Sequence, residues 1–370
     1  MIVIGADTHK STHTAGAVDA RTAELRGDST VPAREAGHEE LLRWAQALEP
    51  ERVWAIEDCR HVSGALERFL VASGERVVRV APKHMAGARR SVRERGKSDA
   101  IDALAIARAA LREGIETLPA AWLDPEAMEI KLLADHRDQL IGERTRIQNR
   151  LRWHLHALWP CLEIPSGGLD RLKWLDRIAR RLARAEPSAR VRVCREQVRR
   201  LRELARRDRE LERELRGLVG AKNPRLLELG GCGTLTAAKL IAETAGAERF
   251  ASDAKFARLA GVAPIPASSG STDRHRLDRG GNRQLNCALH RIAVTQGRDH
   301  TPARDYLARK QAEGKSRREA LRCLKRQLAR TVLRLLRAPS QERESLSLSN
   351  EAEKPQTAIV GGDLVAVGLT

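Results

Sequence analysis

Along the first eighty residues, short apolar runs alternate with stretches whose apolar positions recur every three or four residues. The runs at 2–6, 14–18, 53–56 and 77–80 are small or β-branched and predict strands. Residues 37–48, 64–72 and 99–112 carry helical periodicity. A hairpin followed by crossings of the parallel type predicts an α/β unit with a ribonuclease-H-like, or RuvC-like, sheet. After residue 125 the period changes. Leu132, Leu133, Leu140, Ile141, Ile147, Leu151 and Leu155 recur at spacings of mostly three, four and seven, and so do Val191, Cys194, Val198, Leu201, Leu204, Leu211, Leu215 and Leu218. Pro160, Pro165 and Gly167-Gly168 separate these two helical stretches, 125–159 and 187–218. Such a pair predicts a coiled-coil arm that buries its stripe against another copy; the alternative is a stripe packed on its own chain. The division expected is 1–120 for the α/β domain, 121–222 for the arm, 223–338 for a mainly helical domain, and 339–370 for a Ser/Glu-rich tail expected to be disordered.

Charge narrows the class of partner. The 370 residues hold 67 Lys and Arg against 49 Asp and Glu, a net of +18, which argues for a polyanion and foremost for nucleic acid. No run of eighteen apolar residues occurs and the N-terminus enters a strand at once, so a cytoplasmic protein is expected. The six cysteines are scattered without a CxxC pair, which disfavours a zinc ribbon or disulfide scaffold. With aromatics at 3%, backbone contacts from Arg and Lys are a better binding mode than base stacking.

Four acids carry the candidate chemistry. Asp7 ends the first strand, with Gly5 keeping its backbone uncrowded, and is expected to face out of the hairpin core. Glu57 ends the third predicted strand. Asp99 and Asp102 lie three apart at a helix start and so project from one face. Helix capping by Ser98 and Asp99, with first-turn acids complementing the dipole, explains that last pair without any chemistry. Nothing in capping calls for Asp7 and Glu57. Four carboxylates from three elements suit hard divalent cations that stabilise the attacking and leaving oxygens of a phosphodiester displacement.

In the third region, 226–243 reads as helix, glycine turn and helix, similar to a helix-hairpin-helix. There Gly231, Gly233, Thr234 and Lys239 are placed to meet phosphate, although an ordinary helix turn would look the same. Ser268, Ser269 and Ser271 lie in a Gly-containing loop flanked by Arg274, Arg276, Arg279 and Arg283, a pattern equally consistent with linker. Lys315 and Arg318 open a basic helix, which continues through Arg322, Lys325, Arg326, Arg330 and Arg334 and suits a nucleic-acid backbone.

Taken together, Gly5-Ala-Asp7, Ile56-Glu57, Lys97-Ser-Asp99-Ala-Ile-Asp102-Ala103, the turn at 229–238, Leu259-Ala-Gly-Val-Ala-Pro264, Ser269-Gly270, Gly281-Asn282-Arg283 and Gly314-Lys315 resemble the DEDD transposases of bacterial insertion sequences. These are understood as bridge-RNA-guided recombinases. The resemblance runs from Met1 to about Arg337. It implies that Asp7, Glu57, Asp99 and Asp102 bind Mg²⁺, with Mn²⁺ the alternative, and that Ser269 attacks the scissile phosphate. It also implies donor and target DNA as substrates, a structured guide RNA from the element as partner, and a homodimer, or dimer of dimers, that shares its active sites. A hydrolytic RuvC-like endonuclease or junction resolvase is the competing enzyme reading. A nucleic-acid-binding scaffold is the non-enzymatic one.

Overall fold

A computed structural model describes residues 1–57, 60–81, 98–121, 123–267, 275–276, 278 and 280–337. The expected tail, Ser268 to Arg274, Arg279 and Lys97 lie outside the described residues.

The chain opens with three antiparallel strands, β1 (Ile2–Thr8), β2 (Thr12–Asp19) and β3 (Leu25–Pro32). Helix α1 (Glu35–Leu48) leads to β4 (Arg52–Glu57), and α2 (Arg60–Ala72) leads to β5 (Val77–Val80). The sheet order is β3-β2-β1-β4-β5, with β4 parallel to both β1 and β5. This is the mixed five-stranded sheet of a ribonuclease-H-like domain, built as the alternation of elements predicted. The third strand was not predicted. Its residues, Leu-Arg-Gly-Asp-Ser-Thr-Val-Pro, form a mostly exposed edge, so no apolar run marks it.

Strand alternation sorts the side chains onto two faces. Ile2, Ile4 and Ala6 pack with Ala15, Ala17, Leu41 and Leu70 beneath α1 and α2. Val3 and Val18 pack with Val53, Ala55, Val78 and the alanines of α3 (Asp99–Glu113) on the other face. Glycine sets the distance of α3. A Cβ on Gly5 would collide with the carbonyl oxygen of Ala103 and lie 2.5 Å from the Ala107 nitrogen, and one on Gly16 would lie 3.4 Å from the Leu104 nitrogen. The two glycines and the Ala-rich helix face therefore let α3 lie almost directly on the strands.

Two 34-residue helices form the arm, α4 (Pro125–Leu158) and α6 (Ala189–Lys222), with α5 (Leu172–Ala183) between them. The alternative of a stripe packed on its own chain holds for most of the arm, although Leu132 is left 70% exposed. Val191, Cys194, Val198, Leu201 and Leu204 are buried against Ile147, Leu151 and Leu155 of α4 and Leu175, Ile178 and Leu182 of α5. The unpredicted α5 completes a three-helix bundle. Near its middle, Asp208 falls where the repeat calls for an apolar side chain and is held between Arg137 at 2.7 Å and Arg144 at 3.0 Å. At the base, Ala127, Ile130, Leu215 and Val219 run into the core of the last region.

That region comprises α7 (Arg225–Glu228), α8 (Thr234–Thr244), α9 (Asp253–Leu259), a two-residue ribbon of β6 (Ile265–Pro266) and β7 (His275–Arg276), α10 (Arg283–Asp299), α11 (Thr301–Ala312) and α12 (Arg317–Arg337). Buried Glu243 of α8 joins three parts of it, accepting from Lys131 of α4 at 2.5 Å and from Asn282 Nδ2 at 2.6 Å. Asn282 also caps α10, its Oδ1 accepting from the Gln284 and Leu285 amides. Gly281 and Gly261 touch backbone to backbone, and a Cβ on Gly281 would strike Gly261. Among the described residues no helix is long and apolar enough to cross a membrane.

Candidate active site

Asp7 sits at the last inward position of β1, opposite Thr14 of β2. It does not face out of the hairpin. It shares the face of Val3 and Gly5, and its residue is only 8% exposed beneath the start of α3. Parallel register pairs Ala6 with Ile56, so Glu57 follows on β4 beside Asp7, and alternation puts it on the same face. The third element is the N-terminus of α3, where Ser98 Oγ accepts from the Ile101 amide at 3.3 Å. Capping and convergence are both present: the cap fixes the helix start, and Gly5 lets that start stand over the strand end with Asp99 and Asp102 in its first turn.

The charges converge accordingly. Burial pushes the Asp7 carboxyl above the ordinary aspartate range, the neighbouring His9 opposes that rise, and the negative charges of Asp102 and Asp99 add to it. His9 was not among the residues picked out from sequence. Its Nε2 lies 3.1 Å from Asp7 Oδ2 and 3.4 Å from Asp99 Oδ1. One ligand atom from each of Asp7, His9 and Asp99 falls within 4.8 Å of the others, the spacing that one metal ion requires. A buried carboxylate, one further acid and a donor nitrogen around one point form a set that a divalent cation fits.

The opposite face of the sheet holds a pair without such an outlet. His13 and His38 stack with ring centroids 5.3 Å apart, both buried. Burial and the facing His38 lower the His13 pKa to about 4.

The candidate phosphate contacts divide into two groups. Arg276, Arg283, Lys315 and Arg318 are exposed. Gly233 caps α8 at the surface, Thr234 is its first residue, and Gly231 adopts a positive φ of 84° with its backbone against Thr295 and Ile292. Lys239, by contrast, is turned inward to Asp138 and Gln284. In α12, Lys325 is buried and donates to Asn286, while Arg326 and Arg330 pair with Asp253. Period alone cannot separate such inward cations from outward ones. The ribbon of β6 and β7 brackets the serine loop, and Ser269, Arg274 and Arg279 lie outside the described residues.

Two family models match the chain. One, a transposase model for the DEDD domain of IS110-type elements, matches residues 4–160; the other, described as transposase of the IS116/IS110/IS902 family, matches residues 223–308. The chain belongs to the insertion-sequence DEDD transposases. It is 28% identical to the 44.8 kDa protein of insertion element IS116 from Streptomyces clavuligerus, across 91% of this chain and 94% of that one. It is 26% identical to the 42 kDa protein of IS900 from Mycobacterium paratuberculosis, across 78% and 83%. Among solved structures, T. thermophilus RuvC in complex with a Holliday junction substrate matches 33% of the chain at 19% identity with a TM-score of 0.27. This transposase is thus an enzyme that cuts and recombines DNA, with a fold that typically works with divalent metal.

Proposed function

We propose that the transposase exchanges DNA strands through Mg²⁺-assisted attack of Ser269 on the scissile phosphate, with Asp7, Glu57, Asp99 and Asp102 as the metal-binding acids. The observation that carries this reading is the meeting of a strand-end carboxylate and a helix-start carboxylate around His9, at 3.1 and 3.4 Å from its Nε2. When bound, divalent metal would lower the pKa of an attacking hydroxyl and offset the charge that builds on the phosphoryl oxygens. The chain's own residues do the rest. Asp7, buried beneath α3, keeps one side of the centre dry, whereas Asp99 stands open to substrate. Ser269 Oγ bonds to phosphorus as the bridging P–O bond breaks, and the released DNA hydroxyl takes up the serine proton. The bond energy stays in the phosphoserine ester and rejoining needs no other source. Arg276 and Arg283, both exposed and both following the serine loop in the chain, would hold phosphate oxygens.

A structured guide RNA as partner rests on the family resemblance, and the 3% aromatic content fits a protein that leaves the reading of bases to a guide. A dimer, or dimer of dimers, would bring the serine loop of one copy to the acids of another. The test is a covalent protein–DNA adduct trapped on denaturation. It should be formed by the wild type in Mg²⁺ and absent from Ser269→Ala, while cutting retained by Ser269→Ala with no adduct would establish the hydrolytic nuclease instead. Sequencing the RNA that co-purifies from cells tests the guide: one discrete structured species is expected, and a cellular average would contradict it.

A further inference from the structure

Carboxylates are not the only donors at the centre. The hairpin ladder continues past β1, with the His9 amide donating to Thr12 O at 2.9 Å, so His9 follows Asp7 by two residues on the same face. Its ring points at the acids instead of lying along the surface. Nε2 is the atom that approaches both Asp7 Oδ2 and Asp99 Oδ1, and the side chain is half exposed, leaving room for a hydrated ion and a substrate phosphate. Among the described residues, Asp102 in the first turn of α3 and Glu57 at the end of β4 are further acids on the elements that meet at this end of the sheet.

We infer that His9 is a direct nitrogen ligand of the divalent cation held by Asp7 and Asp99, and that it turns the preference of the centre from Mg²⁺ toward Mn²⁺. The inference rests on the metal reading proposed above. Imidazole holds first-row transition ions well, whereas Mg²⁺ keeps to oxygen donors and water. An all-oxygen set would favour neither ion strongly; one nitrogen replacing one oxygen or water tips the balance. His9 thus acts as a specificity-determining residue that ties the sheet acid to the helix acid.

The experiment uses full-length protein and needs no catalysis. Binding of Mn²⁺ is measured by the electron paramagnetic resonance of the free ion, Mg²⁺ binding is measured by competition, and electron spin echo modulation reads the coupling of bound Mn²⁺ to ¹⁴N. Wild type, His9→Asn and Asp7→Asn are compared, each with its circular dichroism spectrum. Expected are an imidazole ¹⁴N coupling in the wild type that His9→Asn removes, and a loss of Mn²⁺ affinity of about tenfold or more. The loss for Mg²⁺ should be only about twofold, since that ion gains little from nitrogen. A wild-type centre that binds Mn²⁺ with no ¹⁴N coupling, or a folded His9→Asn protein with unchanged Mn²⁺ affinity, overturns the assignment and leaves the acids as the metal site. Wild type that binds neither ion overturns the metal reading itself, and with it the role of His9.

Discussion

Two parts of the molecule treat charge in opposite ways. Residues 1–120 carry eighteen Lys and Arg against eighteen Asp and Glu, a net of zero, while residues 121–338 carry 47 against 26, a net of +21. Within the arm the excess is concentrated at the tip, where 144–200 hold fifteen basic residues against five acidic ones. The contrast separates two tasks that would interfere at one place. Acids meant to hold a cation lose that role when an arginine pairs with them, as Arg79 pairs with Glu67 and Arg52 with Glu75 elsewhere in the sheet domain. Grip on a polyanion needs the reverse, cations left facing water. At the tip, Arg192 and Arg199 line a groove between α5 and α6 together with Glu196, Arg195, which donates to the Leu182 carbonyl, and Arg202, which pairs with Asp176. At its rim Arg181 lies over Trp159 and Arg177 over Trp174.

The contrast can be broken most severely at Asp7. Asp7→Asn should lower strand transfer by about a hundredfold or more, measured on a supercoiled donor. The same change should raise the melting temperature of metal-free protein at neutral pH by a few degrees. The sign follows from the raised carboxyl: the folded state binds the proton more tightly than the unfolded chain does, so its ionised form costs stability as pH rises through that pKa, and Asn removes the cost. A less direct break is Gly5→Ala, which adds a methyl where Ala103 and Ala107 already stand. It should cost about 1–3 kcal/mol in urea unfolding and separate Asp99 from Asp7.

Within the arm, Asp208→Ala leaves Arg137 and Arg144 facing each other in a mostly enclosed site. It should cost about 2 kcal/mol, less than for a fully buried pair because all three side chains keep some exposure; replacing all three by Leu or Met should restore stability. The buried histidine sets a pH limit on the sheet. With His13 at about 4 in the fold and near 6.5 when unfolded, stability is present above 6.5 and falls as pH drops toward 4, by roughly 1 kcal/mol per pH unit; His13→Gln should flatten that slope in a pH series of unfolding curves. The smallest effect belongs to the tip. Arg192→Gln with Arg199→Gln should reduce the salt slope of duplex binding by about two while leaving the fold unchanged, as read by fluorescence anisotropy.

How much of this was legible in the sequence depended on whether one segment held the whole signal. Asp7 at a strand end and Asp99 and Asp102 on one helix face are local facts, and the apolar runs marked the four inner or covered strands. Strand β3 had no run to mark it. Helix α5 did carry a readable stripe in Leu175, Ile178 and Leu182, but the prolines and glycines before it read as a break between two helices. The partner of the α6 stripe was not legible at all, because a heptad pattern states that a face must be covered and leaves open by what. His9 went unnoticed for a related reason. A lone histidine in a polar turn has no local signature, and only the packing of α3 on Gly5 brings Asp99 to it. Lys239, Lys325, Arg326 and Arg330 show the converse, basic residues that composition counts toward phosphate and the fold spends on Asp138, Asn286 and Asp253.

Everything turns on whether the acids at the end of β1 and the start of α3 hold metal. Anomalous diffraction from crystals soaked in Mn²⁺ tests this most directly. The account expects a peak within about 2.0–2.3 Å of carboxylate oxygens from both Asp7 and Asp99, lost in Asp7→Asn crystals. A well-occupied peak elsewhere with none between these two residues would contradict it.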